Sequence, residues 1–359
     1  MANSFDPSRM RQMKTISHTA GLLAGVFDPT SQRFVAGTTD GHIMAWPFPD
    51  WSEPATFRWS HRSWIYSLAV LPKQGCVLSV GLDRRLIWWD AKEGVPLREV
   101  QTEGRPLQVA VSPDERWVAV VDDDRWLRLY DAVTGEMAHQ YGGHPERTMK
   151  AHLSSVYCAA FSPDGRLIAT ADRTGTTLVR ELDGGRVIHE LRTPNFYIDY
   201  RIMSDGTPNP DGEYELGGVR FVIFAPDSQL VIVGGMADYD YGSAGTDGKM
   251  GLVGFDVATG SERFACKLPK DKGYLQAAQF HPSGLMIAAG GGGTGGDTGL
   301  GAICVLDLAK PNEPVAHSCE MTIRALAIAP AGDQLIVTGM LKSAVVGQTE
   351  VWDLPSLSL

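Results

Sequence analysis

Two stretches decide the fold: Val109-Ala-Val-Ser-Pro-Asp-Glu-Arg-Trp-Val-Ala-Val120 and Ala160-Phe-Ser-Pro-Asp-Gly-Arg-Leu-Ile-Ala-Thr170. Each is an alternating apolar run, a Ser-Pro-Asp turn and a second apolar run. Proline presets φ and the residues after it take up the reversal, so each block reads as a hairpin between two half-buried strands. The block recurs along the whole chain, with turn prolines at Pro29, Pro72, Pro113, Pro163, Pro226, Pro282 and Pro330. Their spacings of 43, 41, 50, 63, 56 and 48 residues start from the period of about 40 to 45 expected of a four-stranded repeat unit. A third strand closes most copies on an apolar or aromatic residue followed by Asp: Trp89-Asp90, Tyr130-Asp131, Phe255-Asp256, Leu306-Asp307 and Trp352-Asp353. A poorer fourth strand follows, as in 96–101.

These residues resemble the WD-repeat family in a degenerate, bacterial-type form, with Trp-Asp intact at Trp89-Asp90 and Trp352-Asp353. The resemblance covers residues 11–359. It implies an all-β fold, a seven-bladed β-propeller of four-stranded antiparallel blades, preceded by an N-terminal tail over 1–10. In the family, a His before the first strand, a Ser or Thr in the second, an Asp in the next turn and the Trp of the third form a hydrogen-bonded tetrad. His61, Ser79, Asp83 and Trp89 match it fully; His18 and His152 also precede first strands, and Asp124 holds the tetrad Asp position six residues before Tyr130. Elsewhere the pattern departs: Arg180 holds a Trp position with Thr174 six residues before it, Pro47 follows Trp46, and Val346 replaces the last turn Asp. The last repeat ends just after its third strand, so the segment 11–17 is expected to supply that blade's outer strand and remove two open edges.

With 43% hydrophobic and 21% charged residues, the chain can bury a large core. A net charge of −10 and a pI near 5.4 argue against broad nonspecific binding to nucleic acid or anionic membrane, which needs an extended basic field. No apolar run reaches the roughly 18 residues of a membrane span and residues 1–17 hold no signal-like stretch, so the chain is expected in the cytoplasm. The five cysteines, Cys76, Cys158, Cys266, Cys304 and Cys319, form no Cys-x-x-Cys pair and read as reduced, mostly buried thiols.

Motifs of catalysis are scarce. The run 291–296, Gly-Gly-Gly-Thr-Gly-Gly, has the letters of a dinucleotide fingerprint, but a strand follows it where a phosphate-holding helix would be needed. The segment 238–247 gathers carboxylates without the spacing or closing Glu of a calcium loop, so it reads as a solvated acidic-aromatic loop. No His-Glu-x-x-His or Gly-x-Ser-x-Gly occurs. Neither cofactor nor metal is expected, and no enzyme.

Binding is the remaining role. By the resemblance, the connections between blades and the turns between second and third strands share the narrow face. The extra residues fall there, at 142–151, 194–216, 236–250 and 290–301, raising a rim over blades 4 to 7 that carries Phe196, Tyr197, Tyr200, Arg201, Tyr214, Tyr239 and Tyr241. Such rings either bind a partner or pack the long loops onto themselves. Alignment of the first strands gives a second candidate. Alternation places Trp64, Arg105 and Tyr274, and two residues further on Leu23, Tyr66, Leu107, Tyr157, Arg220, Gln276 and Arg324, near the mouth of a central channel. Trp, Tyr and Arg dominate binding hot spots, and Arg105, Arg220 and Arg324 favour an acidic ligand unless they pair with loop acids. The reading is a protein-interaction scaffold that binds a peptide or protein, with an acidic group, on the narrow face, alone as a monomer or within a hetero-complex. The alternatives are a sensor of small acidic ligands, or an enzyme using Asp199, Asp238 or Asp297 at the mouth.

Overall fold

The computed structural model describes residues 5–145, 154–199, 215–242, 245–292, 301–341 and 346–356. Seven four-stranded antiparallel sheets follow one another around a ring, each strand pairing with its sequence neighbour. All seven turn prolines lie between the first and second strands of a blade. The Asp closing the third strand works in the next turn: Asp90 and Asp131 each accept backbone N–H bonds from residues two and three further on, the local competition for backbone donors that suits Asp to turns.

The blades are apolar on both faces because each face meets a neighbour. Along the second strand of blade 2, Cys76 and Leu78 enter the cluster shared with blade 3, while Val77 enters the one shared with blade 1. Strands buried on both faces read as near-continuous apolar runs, which is why the second strands show little alternation. Seven such clusters, one at each junction, complete the ring. The five cysteines are buried within it and no disulfide joins them.

Closure uses the N-terminal strand Arg11–His18, which pairs with Gly347–Asp353 from Arg11 opposite Asp353 to His18 opposite Gly347. Residues 5–10, set apart in the sequence as a tail, pack with the fold: Phe5 and Met10 join the cluster between blades 6 and 7. Two long insertions are strand rather than loop. The second and third strands of blade 5 run Leu230–Gly242 and Gly245–Asp256 as one extended hairpin. The 194–216 insertion rests on a short ladder, Tyr197–Asp199 with Glu215–Gly217.

In blade 2 the Ser79 hydroxyl accepts from Trp89 Nε1 at 2.7 Å and lies 2.6 Å from His61 Nε2, while His61 Nδ1 lies 2.8 Å from Asp83. With Ser79 accepting from the indole, its own proton points to Nε2, which leaves Nδ1–H to donate to the carboxylate. Blade 4 builds a related set from different residues. His144, not His152, lies 2.9 Å from both Asp172 and Thr170, and His152 lies outside the described residues. In blade 3, too, the buried carboxylate is the one two places upstream: Asp122, rather than Asp124, pairs with the buried Arg128.

Candidate functional site

In every blade the first strand slips register by one residue near its start. The skipped residues are Leu23, Tyr66, Leu107, Tyr157, Arg220, Gln276 and Arg324. A bulge takes a residue out of the ladder and re-aims its side chain. All seven border one cavity of about 800 Å³, to which all seven first strands contribute. The bulges thus make a sevenfold ring around the central channel, apolar and aromatic over blades 1 to 4, cationic at blades 5 and 7 with the neutral amide of Gln276 between them.

The chemistry of that lining is one-sided. It holds Arg220 and Arg324, the amides of Gln108, Gln276 and Gln279, and Trp64, Tyr66 and Tyr157, with no Asp, Glu, His, Lys or Cys among its described residues. The Arg220 guanidinium sits between two rings, 4.4 Å from the centre of Tyr157 and 4.6 Å from that of Tyr274. Cation–π contact of this kind holds a cation in place at the channel wall. Arg324 makes no hydrogen bond or ion pair among the described residues, and its Nε is buried. Burial, together with the positive charge of Arg220, holds Arg324 below the usual guanidinium range. Burial pushes the Tyr66 hydroxyl up, with Arg105 and Arg324 pulling the other way.

The first-strand candidates therefore separate. Tyr66, Tyr157, Arg220 and Arg324 line the channel with Trp64, whose ring is edge-on to Tyr66 at 6.4 Å and remains 42% exposed at the mouth. Tyr274 is buried beneath Arg220 and shapes the site without facing it. Arg105 is turned outward and bound to Asp123, Nε to Oδ2 at 2.5 Å, so it does not join the cationic half. Of the rim, Phe196 is a core residue between blades 4 and 5. Tyr200, Arg201 and Tyr214 lie outside the described residues, and Tyr197, Tyr239 and Tyr241 are described by their backbone only. Two aromatic residues escaped the sequence reading: Trp59, 64% exposed in the connection from blade 1 to blade 2, and Trp126, 37% exposed in the second-to-third-strand turn of blade 3. Both lie off the repeat's apolar pattern, and that displacement was the available signal.

Comparison with known proteins agrees with the fold. The family model for the WD domain, G-beta repeat, matches residues 96–131 and 143–179. Telomerase protein component 1 of Mus musculus is 30% identical over 187 residues, 51% of this chain but 7% of that protein. The target of rapamycin complex subunit wat1 of Schizosaccharomyces pombe is 30% identical over 31% of this chain and 34% of its own length. The serine-threonine kinase receptor-associated protein of Homo sapiens is 21% identical over 44% of this chain and 42% of its own. The chain thus spans well under two thirds of the length of these relatives. The chain thus carries WD repeats, two of them matched by the family model, within a closed ring of seven four-stranded blades, a seven-bladed β-propeller.

Proposed function

We propose that the chain is a non-catalytic scaffold that binds a peptide or protein partner on its narrow face, with the channel mouth as anchor and an acidic group of the partner as the anchored chemistry. The observation that carries this reading is Arg324, a part-buried guanidinium without a counter-ion among the described residues, in a cavity whose described lining holds no carboxylate. A charge held that way is costly until an anion joins it. The aromatic half of the ring supplies the apolar contact a partner side chain needs beside its charge. Among the described residues of the lining, Ser67 is the only Ser or Thr and no carboxylate or imidazole stands beside it, which favours binding over turnover. The names of the relatives, a component, a complex subunit and a receptor-associated protein, fit a chain that acts within a hetero-complex. A second reading, a small acidic metabolite seated on Arg324, draws on the same cavity.

An affinity pull-down from native extract, comparing wild type with a folded Trp64→Ala, Arg220→Ala, Arg324→Ala variant, tests the anchor. Truncation of such anchors costs on the order of 2 kcal/mol each, so the variant is expected to lose a protein that wild type retains. Retention of the same protein by both overturns the anchor. If wild type retains no protein but its melting point rises with added citrate, the small-ligand reading replaces it.

A further inference from the structure

The turn between the second and third strands takes the same shape in blades 1 to 4. Its fourth residue donates to the carbonyl three places back and lies in the left-handed region: Gly41 at φ +89°, Arg84 at +62°, Arg125 at +72° and Gly175 at +81°. Glycine is the unstrained solution there, and the position is tight. A Cβ on Gly41 or Gly175 would come within 2.4 or 2.5 Å of the carbonyl of His61 or Thr193 in the following connection. Blades 2 and 3 nonetheless place arginines at this position, side by side on the narrow face. Backbone strain of this kind persists where the surrounding structure enforces it and points to use.

Neither arginine has an ion-pair partner among the described residues, and Arg125 Nε is buried without one. Most of the acids nearby are committed elsewhere, Asp83 to His61 and Arg85, Asp123 to Arg105 and Glu103 to Arg128, which leaves Asp124, beside Arg125, as an acid with no ion pair among the described residues. In a chain of net charge −10 the junction of blades 2 and 3 thus offers two arginines against one uncommitted carboxylate. Trp64 at the channel mouth, Trp59 in the connection leading into blade 2 and Trp126 beside Arg125 flank it with exposed indole surface.

We infer that the partner segment runs outward from the channel over blades 2 and 3, not over the long insertions of blades 4 to 7, and that it is an acidic peptide carrying apolar or aromatic residues between its carboxylates, recognised by Arg84 and Arg125 together with Trp59 and Trp126. This rests on the narrow-face reading and adds direction and composition to it. Charge complementarity selects an acidic chain, and the indoles select apolar residues within it. A single-stranded nucleic acid would use the same two residue types, but the acidic body of the protein disfavours a polyanion longer than this patch.

The test uses fluorescence polarisation of the full chain with three labelled probes: a peptide of repeating Glu-Phe-Asp-Gly units, its Lys-Phe-Lys-Gly counterpart and an oligothymidylate. Wild type is expected to bind the acidic peptide and to bind the other two more weakly. An Arg84→Gly, Arg125→Gly variant carries the residue blades 1 and 4 already use, so its melting point should hold or rise while its affinity for the acidic peptide falls about tenfold. Trp59→Ala, Trp126→Ala should weaken the same probe without unfolding the chain. Unchanged affinity in both variants, with loss in Arg324→Met, leaves the channel anchor standing and overturns the path over blades 2 and 3. Absence of acidic-peptide binding by wild type, or preference for the oligothymidylate, overturns the proposed partner chemistry.

Discussion

Arg324 concentrates the conflict between stability and use. It is part-buried, repelled by Arg220 and without a counter-ion among the described residues. Replacement by Met keeps the stem's apolar contact and removes the charge. The Arg324→Met protein is therefore expected to be more stable than wild type by about 1 kcal/mol in urea unfolding and to bind its partner less tightly, a trade-off usual at functional positions. A destabilised variant would mean that the guanidinium is satisfied in the free protein. Ser79 presents the opposite case. It accepts from Trp89 and lies against His61 in full burial, so Ser79→Ala strands two buried polar groups and should cost about 2–4 kcal/mol. Arg324 could be placed from its position in the strand. Its isolation could not, because Asp123, the acid that removes Arg105 from the channel, stands eighteen residues along in another strand's turn and sequence order does not rank such pairings.

The elements carry the ring's geometry and its seam. Hairpins were legible because Pro and Asp fix a turn locally, and the outward strand Arg11–His18 because the last repeat lacked one. The one-residue bulge in each first strand was not legible, since nothing in the residues at 66, 157 or 324 marks a register slip; alternation alone reached the same ring. Blade 4 misled for a related reason: His144 stands twelve residues before the first strand, which begins at Val156, and the nearer His152 looked like the tetrad member. The seam should respond to pH. His18 ends the closing strand, 3.1 Å from Thr349, and burial holds it down at about 4. Its ordinary value is 6.5, so the unfolded chain binds the proton more tightly. The stability it contributes is complete above about pH 6.5 and is lost as pH falls toward 4, amounting to about 2 kcal/mol by about pH 5. Urea midpoints of wild type and His18→Gln at neutral pH and at pH 5 measure this. The variant should lose that part of the acid sensitivity, and equal slopes would contradict the assignment. Removal of residues 1–18 should expose the edge of Gly347–Asp353 and give a self-associating protein in size-exclusion chromatography.

At the scale of the molecule, seven apolar junctions make a rigid body whose axis is lined by residues that the sheets do not need. Tight turns and connections gather at one end, and there the rigid ring can present Trp64, Tyr66 and Arg324 without rearranging. Among the described residues, the exposed large apolar side chains of the outer strands, Met13, Leu97, Met137 and Val187, are single residues on four different blades, of a kind any surface carries, and Leu97 lies on the fourth strand of blade 2, far out in its sheet. The most direct measurement is photo-crosslinking in native cells with benzoylphenylalanine placed at Tyr66 in one protein and at Leu97 in another. A protein adduct is expected from position 66 and none from position 97. An adduct from position 97 alone would put the partner on the outer wall and contradict binding at the channel mouth.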